Sequence, residues 1–195
     1  MFDGWTTAAV EAAARAGAVD PAVARLAFGG GPMTMIAAWI AAVDAAMEQA
    51  FAQDILAGQS VRERIRRLVA FRLEAVTGRE EALRRALSIM AMPQNATRSL
   101  KLGWASADAM WRLAGDTATD YNHYTKRAIL AGVYAATLAV FVNDQSEAKA
   151  ETAAFLDRRL ADIVRFEKAK AKFAGSGGEH FSMARFLGRL RYPDR

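Results

Sequence analysis

The sequence predicts an all-α protein: an N-terminal helix-turn-helix-like unit, a larger helical bundle and a C-terminal amphipathic helix. Three observations carry that reading. Alanine is abundant, there are only 4 prolines, and β-branched runs are scarce, a composition that favours helix throughout. Glycine- and proline-containing breaks divide the chain into segments of helical length. The stretch DTATDYNHYTKRAILAGVYAATLAVFVND (116–144) then supplies an obvious centre, because it carries no charge from Ala128 to Val142.

Taken in order, Thr6 or Thr7 caps a first helix that Gly17 stops. A short helix starts with Pro21 in its first turn and reaches Phe28. Gly29-Gly30-Gly31-Pro32 breaks the chain before a long helix over 33–56, so residues 1–57 read as a helix-turn-helix-like unit. A larger domain over 58–173 follows. Its first helix, 61–76, is amphipathic, with Val61, Ile65, Leu68, Val69 and Leu73 on one stripe. Further helices span 80–92, ended by Pro93, and 97–114. In the central helix Thr119 serves as a cap, and Asp120 sits where the dipole favours an acid. Its charge-free part is somewhat short for a membrane span and contains Tyr134 and Thr137, so it reads as a core helix buried on nearly every side. A last long helix covers 149–173. Residues 174–195 comprise the linker Gly175-Ser176-Gly177-Gly178 and a separate tail.

The residue inventory excludes several chemistries. The chain has no cysteine, which removes disulfides, thiolate metal sites and a thiol nucleophile. Neither His123 nor His180 has a glutamate three residues before it, as a di-iron helix pair requires. No dinucleotide loop, Walker sequence or nucleophile elbow is present. No catalytic constellation, metal site or cofactor motif results, and the chain reads as a non-enzyme. The N-terminus has no basic-then-apolar signal pattern, which points to a bacterial cytoplasmic protein. The net charge of +5 suits an anionic membrane or a nucleic acid without choosing between them. The N-terminal unit argues against the nucleic acid. Residues 1–57 contain only Arg15 and Arg25 as cations, against Asp3, Glu11, Asp20, Asp44, Glu48 and Asp54. The candidate recognition helix offers Arg25 alone for base or phosphate contact, where readout needs several donors and acceptors.

The runs RALSIMAMPQN (85–95), MWRLAGDTATDYNHYTKRAILAGVYAAT (110–137) and FLDRRL (155–160) resemble the Coq-nine family over roughly residues 4–160. The resemblance implies a TetR-like fold; TetR-like proteins have one more helix before this unit, and with almost no chain ahead of Gly4 the expectation is either a start codon called late or a member that lacks that helix. It also implies isoprenoid lipid or quinone-intermediate binding, and help to the di-iron demethoxyubiquinone hydroxylase of ubiquinone biosynthesis at the bacterial inner membrane. A ligand-responsive regulator of TetR type is the alternative from another class. Leu87, Met90, Met92, Leu100, Trp104, Met110, Trp111, Tyr134, Leu138 and Phe141 are an adaptable apolar inventory on three helices. Sequence alone does not distinguish a filled core from a cavity, and the resemblance favours a lipid-binding cavity. It also places a partner-binding patch on Asp120, His123 and Tyr124, with Arg127 on the same helical face by spacing. Relatives commonly have Trp where this chain has His123. Homodimerisation stays open.

In the tail, Met183, Phe186, Leu187 and Leu190 share an arc of about 100°, flanked by Arg185, Arg189 and Arg191, while Phe181 lies off the stripe. Such a helix fits an interfacial membrane anchor; packing on its own domain or on a second subunit fits equally. Deleting residues 178–195 is expected to leave a folded protein that floats poorly with anionic liposomes, because each tail arginine adds up to about 1 kcal/mol near an acidic surface. Undiminished flotation of the truncated chain refutes the anchor, and unfolding points to self-packing.

Overall fold

The computed structural model describes residues 4–52, 55–117 and 121–175, and these form helices and turns with no strand among them. The tail positions Phe181, Met183, Arg185, Phe186, Leu187, Arg189 and Leu190 lie outside the described residues, as do Thr119 and Asp120.

The helix ends follow local chemistry. α1 (Thr7–Ala16) starts where the Thr6 hydroxyl accepts from the Ala9 N–H and ends at Gly17. α2 (Pro21–Ala27) is capped by the Asp20 carboxylate and has proline in its first turn. Gly31, at φ +74, makes the turn into α3 (Pro32–Ala50), a backbone geometry that favours glycine. The axes of α2 and α3 are bent 92° apart. α3 stops at Ala50, short of the expected 56. Beyond it Phe51 meets Phe71 edge-on at 5.6 Å, and Leu56 turns back into the core. α4 (Val61–Glu74) is capped by Ser60, whose hydroxyl accepts from the Glu63 N–H. α5 (Glu80–Met90) ends before a single 3-10 turn, Pro93–Asn95. There the Asn95 amide and the Ser99 hydroxyl bond the carbonyls of Ile89 and Met90, both at 2.8 Å, which satisfies a helix end otherwise left open. α6 (Ala96–Leu113), α7 (Tyr121–Phe141) and α8 (Ala150–Gly175) complete the series.

Residues up to Asp157 form one compact unit, and α8 continues from Arg158 into a second. In the first, α3 packs on α4, α5 and α6, α6 packs on α7, and α1 pairs with α2. Ile36, Met47, Leu68, Val69, Met110, Leu130 and Phe141 are almost wholly buried, each contributing about 1.5–3 kcal/mol of apolar transfer. The N-terminal helices are tied to this core. The Trp5 indole N–H donates to the Ala82 carbonyl at 3.1 Å, and the Trp5 and Trp39 rings lie 5.4 Å apart. In the second unit, Asp162 pairs with Arg159 at 2.9 Å and Arg165 at 3.7 Å.

α7 departs from the expectation of burial on nearly every side. Leu130, Tyr134, Thr137, Leu138 and Phe141 are buried, but Ala128, Gly132, Ala135, Ala136 and Ala139 are exposed. Absence of charge signalled burial; Ala128, Gly132 and Ala135 instead border an open cavity, and Ala136 and Ala139 are small enough to offer water little apolar area. Among the described residues no single helix is long and apolar enough to cross a membrane, and the bent α2–α3 pair passes on length and composition alone.

The junction between α7 and α8 is organised by Asp144. Its carboxylate accepts from the Ser146 and Thr152 N–H groups, both at 2.8 Å, and from their hydroxyls at 2.5 and 2.6 Å. These bonds hold its pKa far below the ordinary carboxylate range. A depressed native pKa contributes stability that is fully present above the unfolded value of about 3.9 and is lost as pH falls toward the native one. Asp144→Asn is therefore expected to lower the melting temperature at pH 7 and to flatten its decline below about pH 4. Thermal melts of both proteins across pH check this, and parallel acid slopes refute it.

Candidate functional site

Five helices, α3 to α7, enclose a cavity of about 570 Å³. α3 supplies Ile36, Trp39, Ile40 and Val43; α4 and its C-terminal end supply Arg72 and Val76. Leu83, Ala86, Leu87 and Met90 come from α5, and Leu100, Leu102, Gly103 and Trp104 from α6. From α7 come Ala128, Ala131, Gly132, Ala135, Tyr134 and Leu138. The α7 positions 128, 131, 132 and 135 recur at helical spacing, so one stripe of that helix consists of methyl groups or hydrogen. A Cβ built on Gly103 or Gly132 meets nothing within 4 Å. The cavity thus exists because the α7 side chains that line it at 128, 131, 132 and 135 are short and α6 has glycine at 103. Leu100, 75% exposed, marks its mouth.

One polar cluster interrupts the apolar wall. Arg72, 2% exposed, pairs with Asp44 and donates to the Ser106 hydroxyl at 3.1 Å; Ser106 in turn donates to Asp44 at 3.1 Å. The Arg72 guanidinium lies 4.9 Å from the Tyr134 ring centroid, a cation–π contact, and its buried Nε–H has no hydrogen-bond partner among the described residues. Burial pushes the Tyr134 phenol pKa up, with Arg72 partly offsetting it, so the phenol stays neutral. The cluster offers an otherwise apolar ligand one place for an oxygen.

Six of the ten residues anticipated for a lipid site line this cavity: Leu87, Met90, Leu100, Trp104, Tyr134 and Leu138. The other four lie elsewhere. Met92 is 42% exposed in the turn after α5, where its sulfur accepts from Gln94. Met110 is wholly buried in solid core. Trp111 shares the helical face of Leu100 but sits about 16 Å further along α6, its indole N–H bonded to the Lys126 carbonyl at 3.0 Å. Phe141 is buried beside a smaller pocket with Leu73 and Leu156. Sequence reasoning missed the α3 wall, where Ile36, Trp39, Ile40 and Val43 follow helical spacing within a segment assigned to the N-terminal unit. Gly103 and Gly132 were also missed, although glycine inside a helix is costly and signals a demand for space.

Next to the mouth, Trp104 and Tyr124 have ring centroids 6.1 Å apart, and His123 meets Tyr124 edge-on at 5.1 Å. Tyr124 is 61% exposed and His123 half-buried. Arg127, expected on the same surface, is instead buried at 2% exposure. It bonds Asp108 at 2.5 Å and Asp116 at 3.1 Å, while Lys126 also holds Asp116 at 2.7 Å. Spacing had put Arg127 on the face of Tyr124; two carboxylates on its other flank draw the guanidinium inward. Burial alone would raise the Asp116 carboxyl, but the Lys126 and Arg127 bonds outweigh it and lower its pKa. Among the described residues no group of His, Asp or Glu is placed to hold a metal. On the candidate recognition helix, Arg25 is engaged by Glu11 at 2.9 Å, and Val23 and Leu26 face outward.

These two environments predict opposite outcomes. Tyr124→Ala is expected to leave the melting temperature nearly unchanged. Arg127→Met is expected to cost about 3 kcal/mol, the low end for breaking a buried pair, since Lys126 still neutralises Asp116. Urea denaturation of both variants checks this, and equal losses refute it.

A family model described as COQ9 matches residues 96–167. The rat protein named "Ubiquinone biosynthesis protein COQ9, mitochondrial" is 33% identical over 183 residues, covering 90% of this chain and 58% of the rat protein. The human protein of the same name is 31% identical over 183 residues, 90% of this chain and 57% of its own length. A Xenopus laevis protein named COQ9-B is 37% identical over 92 residues, 47% of this chain and 31% of its own. The chain thus spans somewhat more than half the length of the rat and human proteins it matches. The segment that the family model matches includes α6 and α7, which carry the alanine and glycine wall, the mouth and the exposed aromatic cluster: this chain is similar to the COQ9 family there, and to the rat and human COQ9 proteins over 90% of its length.

Proposed function

We propose that this chain is a non-catalytic accessory protein of ubiquinone biosynthesis that binds isoprenoid quinone intermediates at the membrane and assists the demethoxyubiquinone hydroxylase. The names of its relatives support the pathway. The observation that carries the lipid-binding reading is the cavity of about 570 Å³ walled by alanine, glycine, leucine and tryptophan with a single polar cluster at Arg72. Its size is that of a small-molecule site, and its lining suits a prenyl chain with one oxygen-bearing end. Empty apolar volume costs stability unless something fills it. Trp104 belongs to both the cavity wall and the exposed aromatic cluster, so a partner seated on Tyr124 would lie beside the mouth. Tyrosine exposed beside tryptophan is a composition favoured at interface centres.

The walls of α7 provide the test. Gly132→Ala is expected to stabilise the fold by about 0.5–1 kcal/mol, by ordinary helix propensity, and to leave room for ligand. Gly132→Phe is expected to fill the space and abolish co-purified lipid while the protein stays folded. Mass spectrometry of organic extracts from both purified variants and the parent reads the result. Lipid retained in full by Gly132→Phe, or no lipid in the parent, overturns the proposal.

A further inference from the structure

A long prenyl chain does not fit in a volume suited to a drug-sized molecule, so the rest of it must leave the cavity somewhere. A second apolar space of about 530 Å³ lies between α1, α2 and α3, walled by residues such as Val10, Ala13, Phe28 and Met35. Trp39 lines both spaces. Its indole is half-buried. Trp5, its ring neighbour, is pinned by the bond to the Ala82 carbonyl, whereas nothing among the described residues hydrogen-bonds the Trp39 indole. Trp39 is held by packing alone, against Trp5 and the cluster of Met33, Ile36 and Ala86, and it is the one residue that lines both spaces. A third opening beside Trp39 is bordered by Arg79, Glu80 and Glu81 and is unsuited to hydrocarbon. In the protein free of membrane and partner, exit through the mouth would put apolar chain into water.

Resting on the lipid-binding reading, we infer that Trp39 is a movable partition and that the distal units of a long prenyl ligand pass it into the groove beneath α1 and α2. The groove is then a second subsite that selects for chain length, with the first cavity holding the proximal part. Each methylene kept in apolar contact strengthens binding about fourfold, so the second subsite discriminates strongly between short and long chains.

The test compares farnesol with solanesol on the full chain, each competing against a fluorescent fatty-chain probe. Farnesol reads the first cavity alone; the excess affinity of solanesol reads the extension. Ala13 is exposed to the groove on α1, so Ala13→Trp blocks it without disturbing the core. This variant is expected to weaken solanesol at least about tenfold and to leave farnesol unchanged. Trp39→Ala, which removes the partition, is expected to strengthen solanesol several-fold over farnesol. Farnesol binding with solanesol unaffected by Ala13→Trp overturns the second subsite while leaving the lipid-binding reading intact. Equal loss of both prenols also overturns it, because the groove is then not specific to the distal chain. Failure of the parent to bind farnesol removes the lipid-binding reading itself, and the subsite with it.

Discussion

The buried pairing of Arg72 with Asp44 and Ser106, with Tyr134 against the guanidinium, is the contact on which the architecture turns. It joins α3, α4, α6 and α7 at one point on the cavity wall. An apolar space is mechanically unfavourable, since its lining atoms lack partners on one side and gain by moving together. Helices free to slide would close it. Directional bonds among four helices resist that collapse in a way that further leucines would not, because a charge pair once buried must keep its geometry or leave a charge without a partner. At the α6–α7 junction, Arg127 with Asp108 and Asp116 performs the same service.

Much of the fold was legible because helix termini have local causes. Thr6, Gly17, Pro21 and Gly31 each announce a boundary through their own backbone chemistry, and the observed helices begin or end there. Boundaries set by tertiary packing were not legible: α3 ends where Phe51 finds Phe71, a neighbour remote in sequence. The site was partly legible for a related reason. Large apolar residues such as Leu87, Met90 and Trp104 advertise a possible wall, but a cavity is made by what is missing. Ala128, Gly132 and Ala135 look like helix filler until the opposite walls are known. Arg127 was misplaced because spacing gives the face of a helix, not the direction in which a long side chain turns when two carboxylates wait beside it.

The arrangement places two features of different chemistry beside each other. The mouth at Leu100 and the ring cluster of Trp104, Tyr124 and His123 share a rim, so any macromolecule that settles on the rings also sits at the exit from the cavity. Binding outside and occupancy inside are then coupled through Trp104 without any large movement of helices. By the reciprocity of linkage, whatever filling the cavity does to the affinity of the rim, occupying the rim does to the affinity of the cavity.

The walls of the cavity also differ in how much freedom they hold. Alanine and glycine have no rotamers to lose, so the α7 stripe of Ala128, Ala131, Gly132 and Ala135 keeps one shape whether or not a ligand is present. Leu87, Met90 and Leu100 opposite have several conformations each and give up entropy when a ligand fixes them. One side of the cavity is a rigid template and the other a compliant cushion. Ligands that differ where they touch α7 are accepted or refused on shape alone. Those that differ where they touch α5 and α6 are accommodated at a modest entropic cost, so selectivity is concentrated on the face with the smallest side chains.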